Sequence, residues 1–280
     1  MKQVAPLRYG VIFKKAFSHV QIFKAFVKDV LGLDLEIERV ETEKQFLPAI
    51  GYVAARFDLY AEDKKNRVIV EIQHVREPDH YDRFLYYHCV AMLEQVSKFD
   101  NYKPDLSVYT IVLLTSGDKH KRDIAVIDFD PKDLQGQPLH EMRHKIIYLC
   151  PKYINEQTPP ACREWLRAIE DTLDEEVNEA DYEHIEIRQV FDYIKKDTVS
   201  PQERARIIDE NQSLARFNKG QETGLKRGLK KGLQQGLRQG LEQGRRETAQ
   251  KLIAKGLDIE FIAEATGLAP AEIVALQNEI

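Results

Sequence analysis

The sequence has no long apolar run and few cysteines. None of its hydrophobic stretches approaches the roughly 20 residues that a membrane-spanning helix needs, and the opening MKQVAPLRYG lacks the apolar segment of a signal peptide. We therefore expect a cytoplasmic protein without a membrane partner. The three cysteines, Cys89, Cys150 and Cys162, lie far apart and form no CxxC pair, so they indicate neither a disulfide framework nor a zinc site.

The body of the chain also lacks an excess of positive charge. The formal net charge is −5, but residues 219–251 contain nine Lys or Arg and three Glu, and residues 252–280 carry −4, which leaves −7 for residues 1–218. This balance argues against a broadly basic nucleic-acid surface on the body, so any DNA contact there must be local. A length of 280 residues with 43% hydrophobic residues predicts one main domain with appendages.

Two alternating stretches flank a charged segment near the middle of the first half. Residues 56–60 and 67–73 alternate between apolar and polar side chains, whereas residues 61–66 are mostly charged. This pattern predicts two short strands joined by a solvated turn. Each strand then presents a carboxylate beside an apolar face: Asp58 in the first strand, and Glu71 followed by Gln73 in the second.

The two carboxylates meet only in a suitable register. A symmetric turn centred between Asp63 and Lys64 pairs Asp58 with Ile69 and makes Asp58 a diagonal neighbour of Glu71. Their β-carbons would then lie within roughly 7–8 Å, a gap that a divalent ion and its carboxylate ligands bridge. The sequence permits this register but does not fix it.

The remaining pattern predicts alternating helices and strands. Apolar spacing indicates helices over residues 11–31 and 79–99, and β-rich runs indicate strands over residues 35–40 and 106–115, with a loop at 41–48. The order is helix, three strands, helix, strand. Beyond it we expect strands at 123–129 and 143–150, helices at 159–173 and 183–196, and a helix from Ser200 and Pro201 towards Phe217.

A repeat of period four occupies the C-terminal part. Glycine recurs every fourth residue from Gly220 to Gly244, and Leu follows five of these glycines. Seven glycines cost a helix roughly 7 kcal/mol relative to Ala, so the segment is either disordered or a helix packed against a partner. The segment after it has the apolar spacing of a helix-turn-helix, but residues 270–280 carry no Lys or Arg to contact DNA.

The order Asp, turn, then Glu-x-Gln resembles the PD-(D/E)XK nuclease core. More narrowly, the sequence resembles the recombination-promoting nuclease family, also called PD-(D/E)XK family transposases. The motifs are the opening LRYGVIFKKAF, FDLY followed by VEIQ, a helix with RFLYY, and the glycine tetrads ending in IAEATGL. The resemblance implies an α/β fold with an αβββαβ core at residues 1–150 and a helical extension at 151–218. The Gly/Leu tetrad helix or linker at 219–251 and a helix-turn-helix-like hairpin at 252–280 would follow.

The resemblance also implies roles for the hairpin residues. Asp58 and Glu71, with the main-chain carbonyl of Ile72, would hold a catalytic Mg²⁺ or Mn²⁺, and Gln73 would replace the Lys of the wider superfamily. The expected activity is metal-dependent endonucleolytic cleavage of DNA, linked to recombination or mobile elements. The family pattern has an Asp three residues before the Phe-Lys pair, but this chain has Gly10 there.

The second predicted helix offers candidates for phosphate binding. Arg83 is the best candidate for a phosphate clamp, although a surface salt bridge is an alternative role. Tyr86 and Tyr87 point about 100° apart on a helix, so one can reach the site while the other packs.

Two other function classes remain open from the sequence. The hairpin acids can be an ordinary solvated strand face, in which case the protein is a non-catalytic scaffold that forms a homo-oligomer through residues 219–251. The residues Gly10 and Gln73 favour this alternative. A DNA-binding regulator that uses the C-terminal hairpin is disfavoured by the missing cations.

Overall fold

The computed structural model describes residues 1–47, 53–96 and 104–278, and the chain forms two compact units, Met1–Asn211 and Gln212–Ile280. None of the helices in these ranges is long and apolar enough to cross a membrane. The strands are β1 Lys2–Gln3, β2 Glu41–Phe46, β3 Ala55–Glu62, β4 Asn66–Gln73, β5 Ser107–Leu114, β6 Ile124–Asp128, β7 Lys145–Leu149 and β8 Glu176–Val177. The helices are α1 Gly10–Phe17, α2 Val20–Leu31, α3 His80–Val96, α4 Pro160–Asp171, α5 Ile185–Tyr193, α6 Pro201–Ala254, α7 Ile259–Thr266 and α8 Pro270–Asn278.

The first unit contains a six-stranded mixed sheet with the order β2-β3-β4-β5-β7-β6. The strands β2, β3 and β4 are antiparallel, β5 and β7 run parallel to β4, and β6 is antiparallel to β7. Both faces of the sheet are covered. Val68 and Val70 pack into the core that contains α1, α2, α4 and α5, whereas Ile69 and Val108 pack with Val90 of α3. The predicted α/β class with an αβββαβ order is therefore confirmed.

Most of the predicted elements lie where the pattern placed them. The strand expected at 106–115 is β5, whose residues Val108 to Leu114 are buried, as expected for a strand covered on both sides. The later expectations correspond to β6, β7, α4 and α5. Ser200 caps α6 as predicted, since Glu203 N–H donates to Ser200 Oγ (3.3 Å) and Ser200 N–H donates to the Glu203 carboxylate (2.7 Å). The part of the predicted second helix after Val96 lies outside the described residues.

Four predictions of secondary structure were wrong. The helix over 11–31 is two helices, because Ser18 ends α1 and His19, in an extended conformation, begins α2. The strand over 35–40 is absent. The charged stretch 41–46, predicted as part of a loop, forms the edge strand β2, because it pairs with β3 along one side and buries Phe46. Finally, α6 does not end near Phe217 but continues to Ala254.

The glycine repeat lies within α6. No atom outside the helix backbone lies within 4 Å of a β-carbon built on any of the seven repeat glycines. The five leucines that follow glycines are 57–75% exposed. The repeat is therefore a solvent-facing helix in this chain, and the predicted division at residues 150, 218 and 251 stays a prediction.

The end of the chain forms a small core of its own. Ala249 of α6 packs with Ile262 of α7 and with Ile273 and Leu276 of α8. Asp258 caps α7 by accepting a hydrogen bond from Phe261 N–H at 2.8 Å. Two short helices, α7 and α8, thus follow α6, the predicted helix-turn-helix-like hairpin stays a prediction, and Glu279 and Ile280 lie outside the described residues.

Candidate active site

The two hairpin carboxylates lie where β3 and β4 separate. The paired residues of the two strands end at Leu59 opposite Val70. Beyond this pair, Asp58 N–H donates to Glu71 Oε1 (3.2 Å) and Ile72 N–H donates to Asp58 Oδ2 (3.1 Å). Each carboxylate thus takes the place of a main-chain acceptor, and the two acids are fixed side by side.

The register differs from the predicted one. Tyr60, not Asp58, is opposite Ile69, so the turn is centred between Lys64 and Lys65. The cause is the side chain of Asp63, whose Oδ1 accepts hydrogen bonds from Lys65 N–H (2.8 Å) and Asn66 N–H (2.7 Å). A shift of two residues preserves the face of every side chain. Asp58 and Glu71 therefore lie together as predicted, although the predicted register is wrong.

The strand next to Asp58 is distorted. Glu43 of β2 has a positive φ of 57°, and the β2–β3 pairs pass from Thr42 opposite Leu59 to Lys44 opposite Phe57. Positive φ is uncommon outside glycine, and such residues cluster at functional sites. Phe57 belongs to the aromatic cluster on the α3 side, whereas Leu59 belongs to the other core. The simple alternation predicted for β3 is therefore interrupted at Asp58.

Glu71 is more buried than a solvated strand face would allow. It is only 4% exposed, and the Asp58 side chain is 21% exposed. Burial raises the pKa of Glu71 well above its usual range, and the negative charge of Asp58 adds to this effect. The Asp58 N–H and the cations Arg83 and Lys14 oppose it. Two neighbouring carboxylates, one of them buried, favour the binding of a positive charge beside them.

Lys14 is a cation that the sequence reasoning did not place at the site. Its Nζ lies 3.2 Å from Asp58 Oδ1 and also forms an ion pair with Glu43. Burial opposes the charge of Lys14, but Asp58 and Glu43 outweigh burial and raise its pKa. Lys14 belongs to the FKK of the opening motif and lies on α1. It contacts Asp58 of β3, which is 44 residues away in the sequence.

Gln73 faces a buried histidine. Gln73 Oε1 lies 3.0 Å from His80 Nδ1, and an amide oxygen accepts, so His80 carries its proton on Nδ1. Burial, reinforced by Arg76, lowers the pKa of His80 to about 4, which keeps the ring neutral at neutral pH. The Gln73 amide nitrogen then remains as a donor for a water molecule or a phosphate oxygen.

His80 should make the fold sensitive to acid. An unfolded His80 titrates near 6.5 and the folded one near 4, so the unfolded state binds the proton first and stability falls as pH drops through this window. We expect wild type to lose up to about 2 kcal/mol more than His80→Gln between pH 7 and pH 5. Urea unfolding at both pH values measures the difference. His120→Gln, at an exposed histidine, is the control, and equal losses in wild type and His80→Gln would contradict the prediction.

The structure brings two of the three phosphate candidates together. Arg83 stacks over the ring of Tyr87 at 5.5 Å and lies 3.6 Å from Glu77, and its charge acts on Glu71. The Tyr86 hydroxyl instead donates to the Val53 carbonyl at 2.5 Å. Arg83 and Tyr87 therefore lie together, with the Arg83 charge acting on Glu71, and Tyr86 is turned to Val53 before β3.

The donor set fits a divalent cation with few protein ligands. The described residues contain no group of three or more His, Cys, Asp or Glu that could hold a metal ion. Asp58 and Glu71 supply two carboxylates, and the Ile72 carbonyl points to the same strand edge as its N–H, towards Asp58. Mg²⁺ is commonly bound by one or two carboxylates, with water and phosphate as its other ligands. The site fits such an ion, and it does not fit a closed structural metal site.

A comparison with protein families places most of the chain in a known family. The profile of a family described as PD-(D/E)XK nuclease family transposase matches residues 10–217, well over half of the chain. The matched range contains β3, β4, α3 and β5, and with them every candidate site residue. Neither the curated proteins nor the solved structures gave a significant match.

Proposed function

The chain belongs to the PD-(D/E)XK nuclease family transposases, and from this membership we propose that it is a metal-dependent DNA endonuclease that hydrolyses phosphodiester bonds. The observation that carries the proposal is the reciprocal hydrogen bonding of Asp58 and Glu71 at the separation of β3 and β4. A role in recombination or in mobile elements is the biological setting that the family supports. A cytoplasmic location stays a prediction from the sequence.

The proposed ion-binding residues are Asp58, Glu71 and the carbonyl of Ile72, with Mg²⁺ or Mn²⁺ as the ion. When bound, such an ion lowers the pKa of a water molecule and stabilises charge on the phosphate. Asp58 and Glu71 contribute fixed positions, because each is hydrogen-bonded to the main chain of the opposite strand. Preorganised ligands of this kind need no rearrangement during the reaction.

Gln73, Arg83 and Tyr87 are proposed to bind the substrate. The Gln73 amide nitrogen donates to the attacking water or to a phosphate oxygen, while His80 holds the amide oxygen. Arg83 offers its planar donors to the scissile or adjacent phosphate. The stacking of Arg83 on Tyr87 fixes the guanidinium plane. Tyr86 contributes only if its hydroxyl leaves the Val53 carbonyl.

Plasmid nicking by the purified protein tests the proposal. We expect relaxed or linear plasmid in the presence of Mg²⁺ or Mn²⁺ and intact supercoiled plasmid in the presence of a chelator. Cleavage that persists in the chelator would exclude the proposed metal dependence. An absence of cleavage with any divalent ion on double- and single-stranded DNA would favour the scaffold function below.

Gln73→Lys places a cation beside Glu71, as in the wider superfamily. We expect activity to be kept or raised, because the ammonium group stabilises negative charge on the phosphate. The substitution removes the acceptor of His80 Nδ1, so a stability loss of about 1–3 kcal/mol should accompany it. Nicking rates and thermal melting measure the two effects, with Gln73→Met as the uncharged control. A complete loss of activity in a folded Gln73→Lys protein would show that the amide itself is required.

A second candidate function rests on the C-terminal helix. The leucines after the repeat glycines are 57–75% exposed, and the glycines leave the helix backbone open. A second copy of the same helix fits this surface, because small residues every fourth position permit close backbone approach. The chain would then be an oligomeric scaffold with a nuclease fold. A DNA-binding regulator is disfavoured, since Pro270–Asn278 contains no Lys or Arg.

A further inference from the structure

The first turns of α6 are attached to the opening of the chain. Lys15 Nζ of α1 lies 3.1 Å from Glu203 Oε2, and the Tyr9 hydroxyl donates to Asn211 Oδ1 at 3.0 Å. Ile207 packs against the main core. These contacts hold the residues around Glu210 of α6 against the N-terminus of α1, all within the first compact unit.

Glu210 fills the space above Gly10. Gly10 N–H donates to Glu210 Oε2 at 3.2 Å. A β-carbon built on Gly10 would lie 3.7 Å from Glu210 Oε1 and 3.9 Å from Lys14 Nζ. The Glu210 carboxylate and the Lys14 ammonium group therefore both border the place that a side chain at position 10 would take, and this is the position at which the family pattern has an acid.

Lys14 links this carboxylate to the candidate site. Lys14 Nζ lies 3.2 Å from Asp58 Oδ1 and pairs with Glu43, and the charges of Lys14 and Asp58 both act on Glu210. An ammonium group on an Asp58 oxygen competes with a metal ion for the same oxygen. A further carboxylate beside Lys14 offsets this competition, because it shares the ammonium charge and adds negative charge to the site.

We propose that Glu210 is a positioning residue that supplies, from α6, the negative charge missing at position 10, and that this charge offsets that of Lys14 so that Asp58 can bind a divalent ion. The inference rests on the proposed function, since it concerns ion binding at Asp58 and Glu71. It also assigns a role at the site to the part of α6 that precedes the glycine repeat.

Mn²⁺ binding to the full-length protein without DNA tests this inference by calorimetry. We expect Glu210→Gln to raise the Kd for Mn²⁺ about 5-fold, the order expected when one charge is removed near a partly solvated site. Asp209→Asn is the matched control. It removes the same charge from the adjacent residue of α6, which is exposed like Glu210 but lacks the hydrogen bond to Gly10 that Glu210 accepts, and it should leave the Kd within about 2-fold.

A second variant separates charge from structure. Gly10→Asp combined with Glu210→Gln returns a carboxylate to the same place, the built β-carbon has only ordinary contacts there, and an acid is favourable at the start of a helix. We expect the double variant to return the Kd to within about 2-fold of wild type. A residue that only anchors α6 would not be rescued in this way, because a carboxylate at position 10 does not rebuild the contact with the helix.

The outcomes distinguish this inference from the proposed function. An unchanged Kd in Glu210→Gln, or a double variant as weak as Glu210→Gln, would overturn the inference. Asp58→Asn in the same titration tests the site itself. If Asp58→Asn abolishes binding while Glu210→Gln has no effect, only the inference fails. If Asp58→Asn binds Mn²⁺ like wild type, the proposed site fails and the inference fails with it.

Discussion

Asp58→Ala and Glu71→Ala should each reduce metal-dependent DNA cleavage by more than about 100-fold, the upper end of what loss of an outer-shell partner costs a metal site. Each substitution removes one of only two carboxylates at a site with few protein ligands. Asp58→Ala also removes the acceptor of the Ile72 N–H, and Glu71→Ala removes the acceptor of the Asp58 N–H. Rates of plasmid nicking at saturating Mg²⁺ measure the loss.

The stability of these variants needs a separate control, because Glu71 is buried. Glu71→Ala leaves the Asp58 N–H without its acceptor, which costs about 1–3 kcal/mol, although removal of a buried charge offsets part of this. Glu71→Gln keeps the acceptor and the volume and removes only the charge. We expect Glu71→Gln to melt near the wild-type temperature and still fail to cleave.

An exposed acid on the same domain completes the design. Glu38→Ala removes a carboxylate from an exposed position before β2 and should leave both cleavage and melting unchanged, within about 0.5 kcal/mol. Full cleavage by both Asp58→Ala and Glu71→Gln would end the assignment of a nuclease site to this hairpin. A loss of melting temperature in the Asp58 and Glu71 variants, but not in Glu38→Ala, would indicate a structural role for the two acids instead.

The meeting of Asp58 and Glu71 was predictable because a register shift of two residues does not exchange the faces of paired strands. The centre of the turn moved by one residue, which shifted the strand register by two and kept both side chains on one face. The register itself was not predictable from alternation, since it is set by the two hydrogen bonds of the Asp63 side chain. Alternation also gave no sign that Glu71 is buried beneath the splayed end of β3.

The residues that were missed reach the site across long stretches of sequence. Lys14 contacts Asp58 across 44 residues, and Glu210 contacts Gly10 across 200. Local periodicity cannot report such contacts, because it shows which face of an element is buried and not what lies against that face. The same limit explains the misplaced strand: the stretch 41–46 is charged and exposed like a loop, and only its pairing with β3 makes it a strand.

Truncation after Asn218 should lower the oligomeric state and weaken DNA binding but retain cleavage. Every proposed ligand and phosphate contact precedes residue 88, and Glu210 is retained. The deleted repeat carries nine Lys or Arg, and each phosphate that they neutralise adds about 0.9 to the slope of log K against log salt. The truncated protein should therefore bind DNA with a shallower salt dependence. Light scattering and a salt titration of fluorescence anisotropy measure the two changes.

A full-length variant separates the apolar and the charged contributions of the repeat. Changing the five repeat leucines, Leu225, Leu229, Leu233, Leu237 and Leu241, to Gln keeps every charge and removes the exposed apolar surface. If a second copy packs on the leucines, this variant should lose mass in light scattering, while each chain keeps all nine Lys and Arg of the repeat. If self-association persists without the leucines, the interface between copies does not lie on the leucines. An unchanged mass and an unchanged salt slope in the truncated protein would show that the repeat neither assembles the chain nor contacts DNA.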